Sequence, residues 1–125
     1  MAKTILIVDE NAYIRRELCE VFKRESDFEV CGEAENGLDA IEKTQQLHPN
    51  LIILDIAMPV MNGIDAAREL RARVPTVPII LVTSYADAFV KEELRSAGVT
   101  EVVSKSDISV LTQKARIILL HQNAA

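Results

Sequence analysis

Two kinds of hydrophobic pattern alternate along the chain. Short unbroken apolar runs recur at Ile5-Leu6-Ile7-Val8, Leu51-Ile52-Ile53-Leu54, Ile79-Ile80-Leu81-Val82 and Val102-Val103. Runs this short, bounded by turn residues, predict strands buried on both faces. Between them the apolar residues fall three and four apart, most clearly Ile14, Leu18, Val21 and Phe22, which predicts amphipathic helices. In order, the chain reads as strand 4–8, helix 12–24, strand 28–32, helix 38–47, strand 51–54, helix 64–74, strand 78–82, helix 88–97, strand 99–104 and helix 108–121. The second strand is the more polar, which places it near an edge. Pro49 stops the second helix, and Asn62-Gly63 and Pro75 bracket the third. Pro78 stands at a strand start, where no ladder N–H is lost. Gly98 reads as a helix C-cap.

Strands alternating with helices predict an α/β fold: a doubly wound, five-stranded parallel sheet with five helices on both faces, flavodoxin-like, in one domain over residues 1–125. With strand order 2-1-3-4-5, the topological switch point falls between the first and third strands. Ligands of such sheets sit there, outside the carboxyl ends of the strands. The residues that end the apolar runs therefore matter. They are Asp9-Glu10, Asp55, Thr83-Ser84 and Ser104-Lys105: three acids, hydroxyls and an ammonium.

Composition narrows the function classes. At 125 residues, 49% hydrophobic and 26% charged, this is an ordinary globular chain. A net charge of −5 and the lack of a basic run argue against nucleic-acid binding by this domain. Arg15-Arg16, Arg68, Arg71 and Arg73 are expected on solvated helix faces. Cys19 and Cys31 have no metal-ligand spacing and are expected to be inert thiols without a disulfide. The leading apolar run is about five residues, shorter than the core of a signal peptide. No stretch is long enough to span a membrane. The expectation is a cytoplasmic domain with no membrane contact.

Asp9, Glu10 and Asp55, placed together, repel one another and attract a cation. An oxygen-only donor set without His or Cys suits a hard ion, Mg2+ above all. Lys105 and Thr83 on neighbouring strand tips would neutralise and hydrogen-bond a tetrahedral anion at Asp55. A carboxylate nucleophile, a metal, an ammonium and a hydroxyl are the parts for phosphoryl transfer onto aspartate. Each residue alone has a plainer reading. Asp55 would cap a turn, Thr83 would bond to backbone, and Lys105 would be solvated. Met58 and Met61 read as packing, and His48 and His121 as residues of helix C-terminal turns. The joint placement at strand tips carries the chemical reading.

The ordered set Ile7-Val8-Asp9-Glu10, Leu54-Asp55-Ile56-Ala57-Met58-Pro59-Val60-Met61-Asn62-Gly63, Val82-Thr83-Ser84, and Ala97-Gly98 followed by Lys105 resembles the receiver domain of two-component response regulators, over essentially the whole chain. The resemblance implies a phospho-accepting signalling switch. Asp55 would take a phosphoryl group from a sensor histidine kinase or phosphotransfer protein. Asp9 and Glu10 would be the acidic metal pair, with Asp55 and the backbone carbonyl of Ala57 as further Mg2+ ligands. Thr83 and Lys105 would contact the phosphoryl group. The domain would act as an enzyme only on itself, in its own phosphorylation and dephosphorylation, and would control an output domain or a homodimer.

Three residues depart from the family pattern. Glu10 stands where Asp is commoner. Ser106 follows Lys105 where many receivers have Pro, so the bond between them is either trans or a source of strain. Val102 stands where Tyr or Phe usually swings inward behind Thr83. The expected switch is therefore an ordering of residues 83–86 and the start of the next helix, with Tyr85 as a participant. The alternative is a receiver-like binding module that does not switch by phosphorylation. A phosphoester phosphatase is disfavoured, because Ala57 occupies the place where such enzymes carry a second carboxylate. In the last helix, Ile117-Ile118-Leu119-Leu120 span more than one face. That predicts an exposed patch for self-association or an output domain; the alternative is a packed helix with one or two exposed side chains.

Overall fold

A computed structural model describes residues 2–58, 60–84 and 91–124. The elements run β1 (Lys3–Val8), α1 (Ala12–Lys23), β2 (Phe28–Ala34), α2 (Gly37–Leu47), β3 (Leu51–Asp55), α3 (Gly63–Arg73), β4 (Ile79–Thr83), α4 (Lys91–Ser96), β5 (Glu101–Ser104) and α5 (Leu111–Ala124). The five strands form one parallel sheet, as the alternation predicts, and their order is the expected β2-β1-β3-β4-β5. β2, the most polar strand, is at an edge. It carries a bulge at Cys31, where the pairing steps from Ile5↔Val30 to Leu6↔Gly32.

The period of two along each strand sorts the apolar runs onto two faces. Ile5, Ile7, Leu51, Ile53, Ile80, Val82 and Val103 meet Leu18, Cys19 and Phe22 of α1 and Leu111, Ala115 and Leu119 of α5. Leu6, Val8, Ile52, Leu54, Ile79 and Leu81 meet Ala40 and Ile41 of α2, Ala66, Ala67 and Leu70 of α3, and Leu94 of α4. β3 is buried at every position, because helices cover both of its faces. The Phe22 and Phe28 rings meet edge to face at 5.1 Å.

Helix ends follow their local chemistry. Asn11, Asn36 and Asn62 each cap a helix through the side-chain oxygen. His48 closes α2 in the left-handed region, the cap position expected of it. Gly98 has φ +93, which fits its expected role after α4. The expected start of that helix, at residue 88, and Tyr85 lie outside the described residues.

The expected helix over 108–121 is two pieces. A 3-10 segment, Lys105–Val110, precedes α5, and Asp107 inside it has non-helical φ −130 and ψ 41. Ser104 caps this segment by accepting the Ser106 N–H at 3.2 Å, and the Ser104 and Ser106 hydroxyls pair at 2.8 Å. No cis peptide bond occurs among the described residues, so the bond from Lys105 to Ser106 is trans. In α5, Leu119 is buried and Ile118 packs against the core, while Ile117 and Leu120 are 48% and 68% exposed. Two exposed apolar side chains fall within the plainer alternative for this helix. Cys19 and Cys31 are both free thiols; burial pushes Cys19 up to about 11, which keeps it protonated and inert.

Candidate functional site

The register of the sheet brings the strand tips level. Val8 pairs with Leu54, so Asp9 and Asp55 leave adjacent strands side by side. Thr83 pairs with Ser104, which puts Lys105 just beyond the tip of β5. Asp9, Asp55 and Lys105 continue the odd-numbered series Ile5-Ile7, Leu51-Ile53 and Val103 that lines the α1/α5 face. The same periodicity that buries the core thus points three charged groups at one place.

They meet there. The Lys105 ammonium stands 3.0 Å from Asp55 Oδ1 and 3.4 Å from Asp9 Oδ2. Both carboxylates are buried, at 3% and 1% exposed. Asp9 Oδ1 accepts the Asn11 N–H at 2.9 Å. Two further oxygens, Asp9 Oδ2 and Asp55 Oδ1, accept no well-directed hydrogen bond beside their ion pairs. A buried acceptor left short of a donor costs about 1–3 kcal/mol. Burial raises the Asp55 carboxyl above its ordinary range; the bond from Lys105 pulls it down, the Asp9 charge pushes it up again, and the Ala57 N–H pulls it down, with a net rise. For Lys105, desolvation opposes the charged form, but the hydrogen bond and charge of Asp55 and the charge of Asp9 outweigh it. Its pKa is raised, so it is an ammonium at neutral pH.

The backbone after Asp55 is set by a close approach. A Cβ on Gly63 would lie 2.3 Å from the Asp55 carbonyl oxygen and 2.6 Å from Ile56 Cα. Only glycine fits there, and its N–H donates to the Ile56 carbonyl at 2.9 Å. Between them Val60, 77% exposed, holds φ +69. That is a strained conformation for a β-branched residue, of the kind that clusters at functional sites.

Thr83 is fully buried at the last position of β4. Ala57 is exposed, and its backbone N–H lowers the Asp55 pKa. Glu10 is exposed. Among the described residues no three acid, histidine or cysteine side chains gather as a metal-binding group. The expected three-acid cluster is therefore two facing carboxylates with Glu10 outside it. Asp9 continues the alternation of β1, and its neighbour falls on the other side. Two buried carboxylates suit Mg2+, which keeps several waters and takes few protein ligands. The two under-satisfied buried oxygens are the observation that fits such a cation. Val102, in place of an aromatic, is half-buried and packs on the α2/α3/α4 face.

Arg15 corrects the expectation of solvated arginines. Its Nη1 donates to the Asp9 carbonyl at 2.8 Å and its Nε to Glu33 Oε1 at 3.0 Å. The sequence held a signal for this. Arg15 lies in the first turn of α1, where the helix dipole disfavours a cation, so a partner beyond the helix was needed.

Residues 5–116 match the family described as response regulator receiver domain. The chain is 37% identical over 124 residues to a protein-glutamate methylesterase/protein-glutamine glutaminase 1 of Vibrio vulnificus, covering 98% of this chain and 33% of that protein. It thus spans about a third of that relative's length. The response regulator domain of Thermotoga maritima CheB is 29% identical, with TM-score 0.80, covering 100% of this chain and 96% of that one. A CheY-like receiver domain protein from Methanospirillum hungatei is 26% identical, with TM-score 0.90, covering 99% and 98%. Among the described residues no helix is long and apolar enough to cross a membrane.

Proposed function

The chain belongs to the response-regulator receiver domain family, and from that premise we propose that Asp55 is its phospho-acceptor, in a Mg2+-dependent reaction assisted by Lys105 and Thr83. The observation that carries the proposal is the Lys105 ammonium 3.0 Å and 3.4 Å from two buried carboxylates at the switch point of the sheet. An Asp55 carboxylate oxygen attacks phosphorus. The bond from phosphorus to the donor's nitrogen or oxygen breaks, and the donor keeps the electron pair. Asp9, Glu10, Asp55 and the backbone carbonyl of Ala57 would hold Mg2+, which would supply charge neutralisation at the phosphoryl oxygens. Lys105 exchanges its carboxylate partner for a phosphoryl oxygen, and the Thr83 hydroxyl donates to another. The raised Asp55 pKa fits a group whose ionised form is held in check until a cation arrives.

The donor is a sensor histidine kinase or a phosphotransfer protein, and the receiving partner is an output domain or a second copy of the chain. The switch expected in residues 83–86 and the next helix lies mostly outside the described residues. Acetyl phosphate with Mg2+, followed by intact mass, tests the assignment. Wild type should gain one phosphoryl group and Asp55→Asn none. Lys105→Ala should slow the gain on the order of 10²–10³-fold. Equal labelling of wild type and Asp55→Asn would overturn the proposal.

A further inference from the structure

Asp9 is held at four atoms. Its N–H donates to the Ala34 carbonyl at 3.0 Å, and its Oδ1 accepts the Asn11 N–H at 2.9 Å. Its own carbonyl accepts Arg15 Nη1 at 2.8 Å, and Oδ2 faces Lys105 at 3.4 Å. Three of these contacts fix the residue and the fourth faces the site. Of the three, only the Arg15 contact comes from a side chain. Through Nε the same guanidinium grips Glu33 of β2, so it ties the loop after β1 to the neighbouring strand. Lys43 of α2 donates to the Glu33 carbonyl and pairs with Asp39 at 3.3 Å, which holds that anchor from the far side.

We propose that Arg15 is a positioning residue for the metal-binding end of the site. A peptide unit is planar, so holding the Asp9 carbonyl sets the plane of the Asp9–Glu10 peptide. That plane sets the direction in which Glu10 leaves the strand and, together with the Asn11 N–H on Oδ1, limits how the Asp9 residue that carries Oδ2 can turn. Mg2+ demands near-ideal octahedral geometry, so its protein ligands must be aimed in advance. Groups that orient a metal ligand typically change metal affinity 10–100-fold. The effect of charge has the opposite sign. A guanidinium this close to a cation site repels the cation, although its pairing with Glu33 offsets much of that. Charge alone therefore predicts tighter Mg2+ binding when Arg15 is neutralised, and positioning predicts weaker binding.

The inference rests on the reading of Asp9 as a metal ligand, and the experiment separates the two. Mg2+ is titrated calorimetrically into the 125-residue chain as wild type, Asp9→Ala, Arg15→Met, Arg15→Lys and Arg116→Met. Wild type should bind and Asp9→Ala should lose most of its affinity. Arg15→Met should bind about tenfold more weakly. Arg15→Lys keeps the charge but loses the fork that reaches two acceptors, so weaker binding by this variant reports geometry alone. It carries the test if Arg15→Met does not fold. Arg116→Met removes a comparable ion pair far from the site and should bind as wild type does. Wild-type affinity in Asp9→Ala, or no binding by wild type, would defeat the functional reading and this inference together. Arg15→Met and Arg15→Lys both binding as tightly as wild type, beside a defective Asp9→Ala, would overturn this inference alone.

Discussion

At the amino-terminal end of the sheet, Arg116 of α5 lays its guanidinium on Asp27 at 2.7 and 3.0 Å, on Glu25 at 3.2 Å, and over the Phe28 ring at 5.3 Å. At the carboxyl-terminal end, Lys105 faces Asp55 and Asp9 at 3.0 and 3.4 Å. Each end sets one cation against two acids, yet the outcomes are opposite. Asp27 is half exposed, and its bond from Arg116 lowers its pKa. Asp55 is buried beside another carboxylate, and desolvation raises its pKa although Lys105 opposes the rise. The first arrangement closes one corner of the fold with its hydrogen bonds satisfied. The second keeps under-satisfied oxygens inside the protein, and a cation or a phosphoryl group relieves them. Stability is thus given up at the end where ligands bind an open parallel sheet.

The largest test of this contrast is the metal. At a Mg2+ concentration 100 times the dissociation constant, wild type should gain about 2.7 kcal/mol in urea unfolding, and Asp9→Ala should gain almost nothing. Equal stabilisation of the two proteins would mean that the site is not where the cation acts. A smaller effect is expected from Val60→Gly. Releasing a β-branched residue from φ +69 should raise the unfolding free energy by about 1 kcal/mol, net of the entropy that glycine adds to the unfolded chain. A loss of stability would show that the backbone there is unstrained.

The smallest effect is in pH, and it separates the two ends by sign. A raised folded-state pKa at Asp55 means stability that is fully present below the ordinary Asp value and lost as pH rises through the raised one. A lowered folded-state pKa at Asp27 means stability that is present above the ordinary value and lost as pH falls through the lowered one. In metal-free protein Asp55→Asn should therefore gain on wild type as pH rises from acid to neutral. Arg116→Met should differ most from wild type at neutral pH and low salt, because an exposed pair is screened. Urea midpoints across pH check both, and parallel curves for the two variants would refute the contrast.

Much of this was legible in advance. The alternation of element types, the edge position of the polar strand and the strand-tip residues Asp9, Asp55, Thr83 and Lys105 all came from local pattern. Apolar periodicity reports burial directly, and a charged residue ending a buried run must lie at a rim. Helix 108–121 was less legible. Its first three residues belong to a 3-10 segment that begins at Lys105, and the α-helix proper starts at Leu111; hydrophobic spacing does not separate the two helix types over so short a stretch. Glu10 stands at the same strand tip as Asp9, but the direction of an exposed side chain beyond the last strand residue is not encoded in local pattern.

By itself the sequence determined the fold class and the set of charged groups at one end of the sheet, since these depend on periodicity and composition. Only the tertiary structure decided which of those groups face one another. Strand register brought Asp9, Asp55 and Lys105 within ion-pair distance and left Glu10 outside. It also turned Arg15 from an expected surface charge into a clamp on the Asp9 carbonyl, through a partner 18 residues away in Glu33. Contacts between residues distant in the chain depend on how elements pack, and no local pattern encodes them.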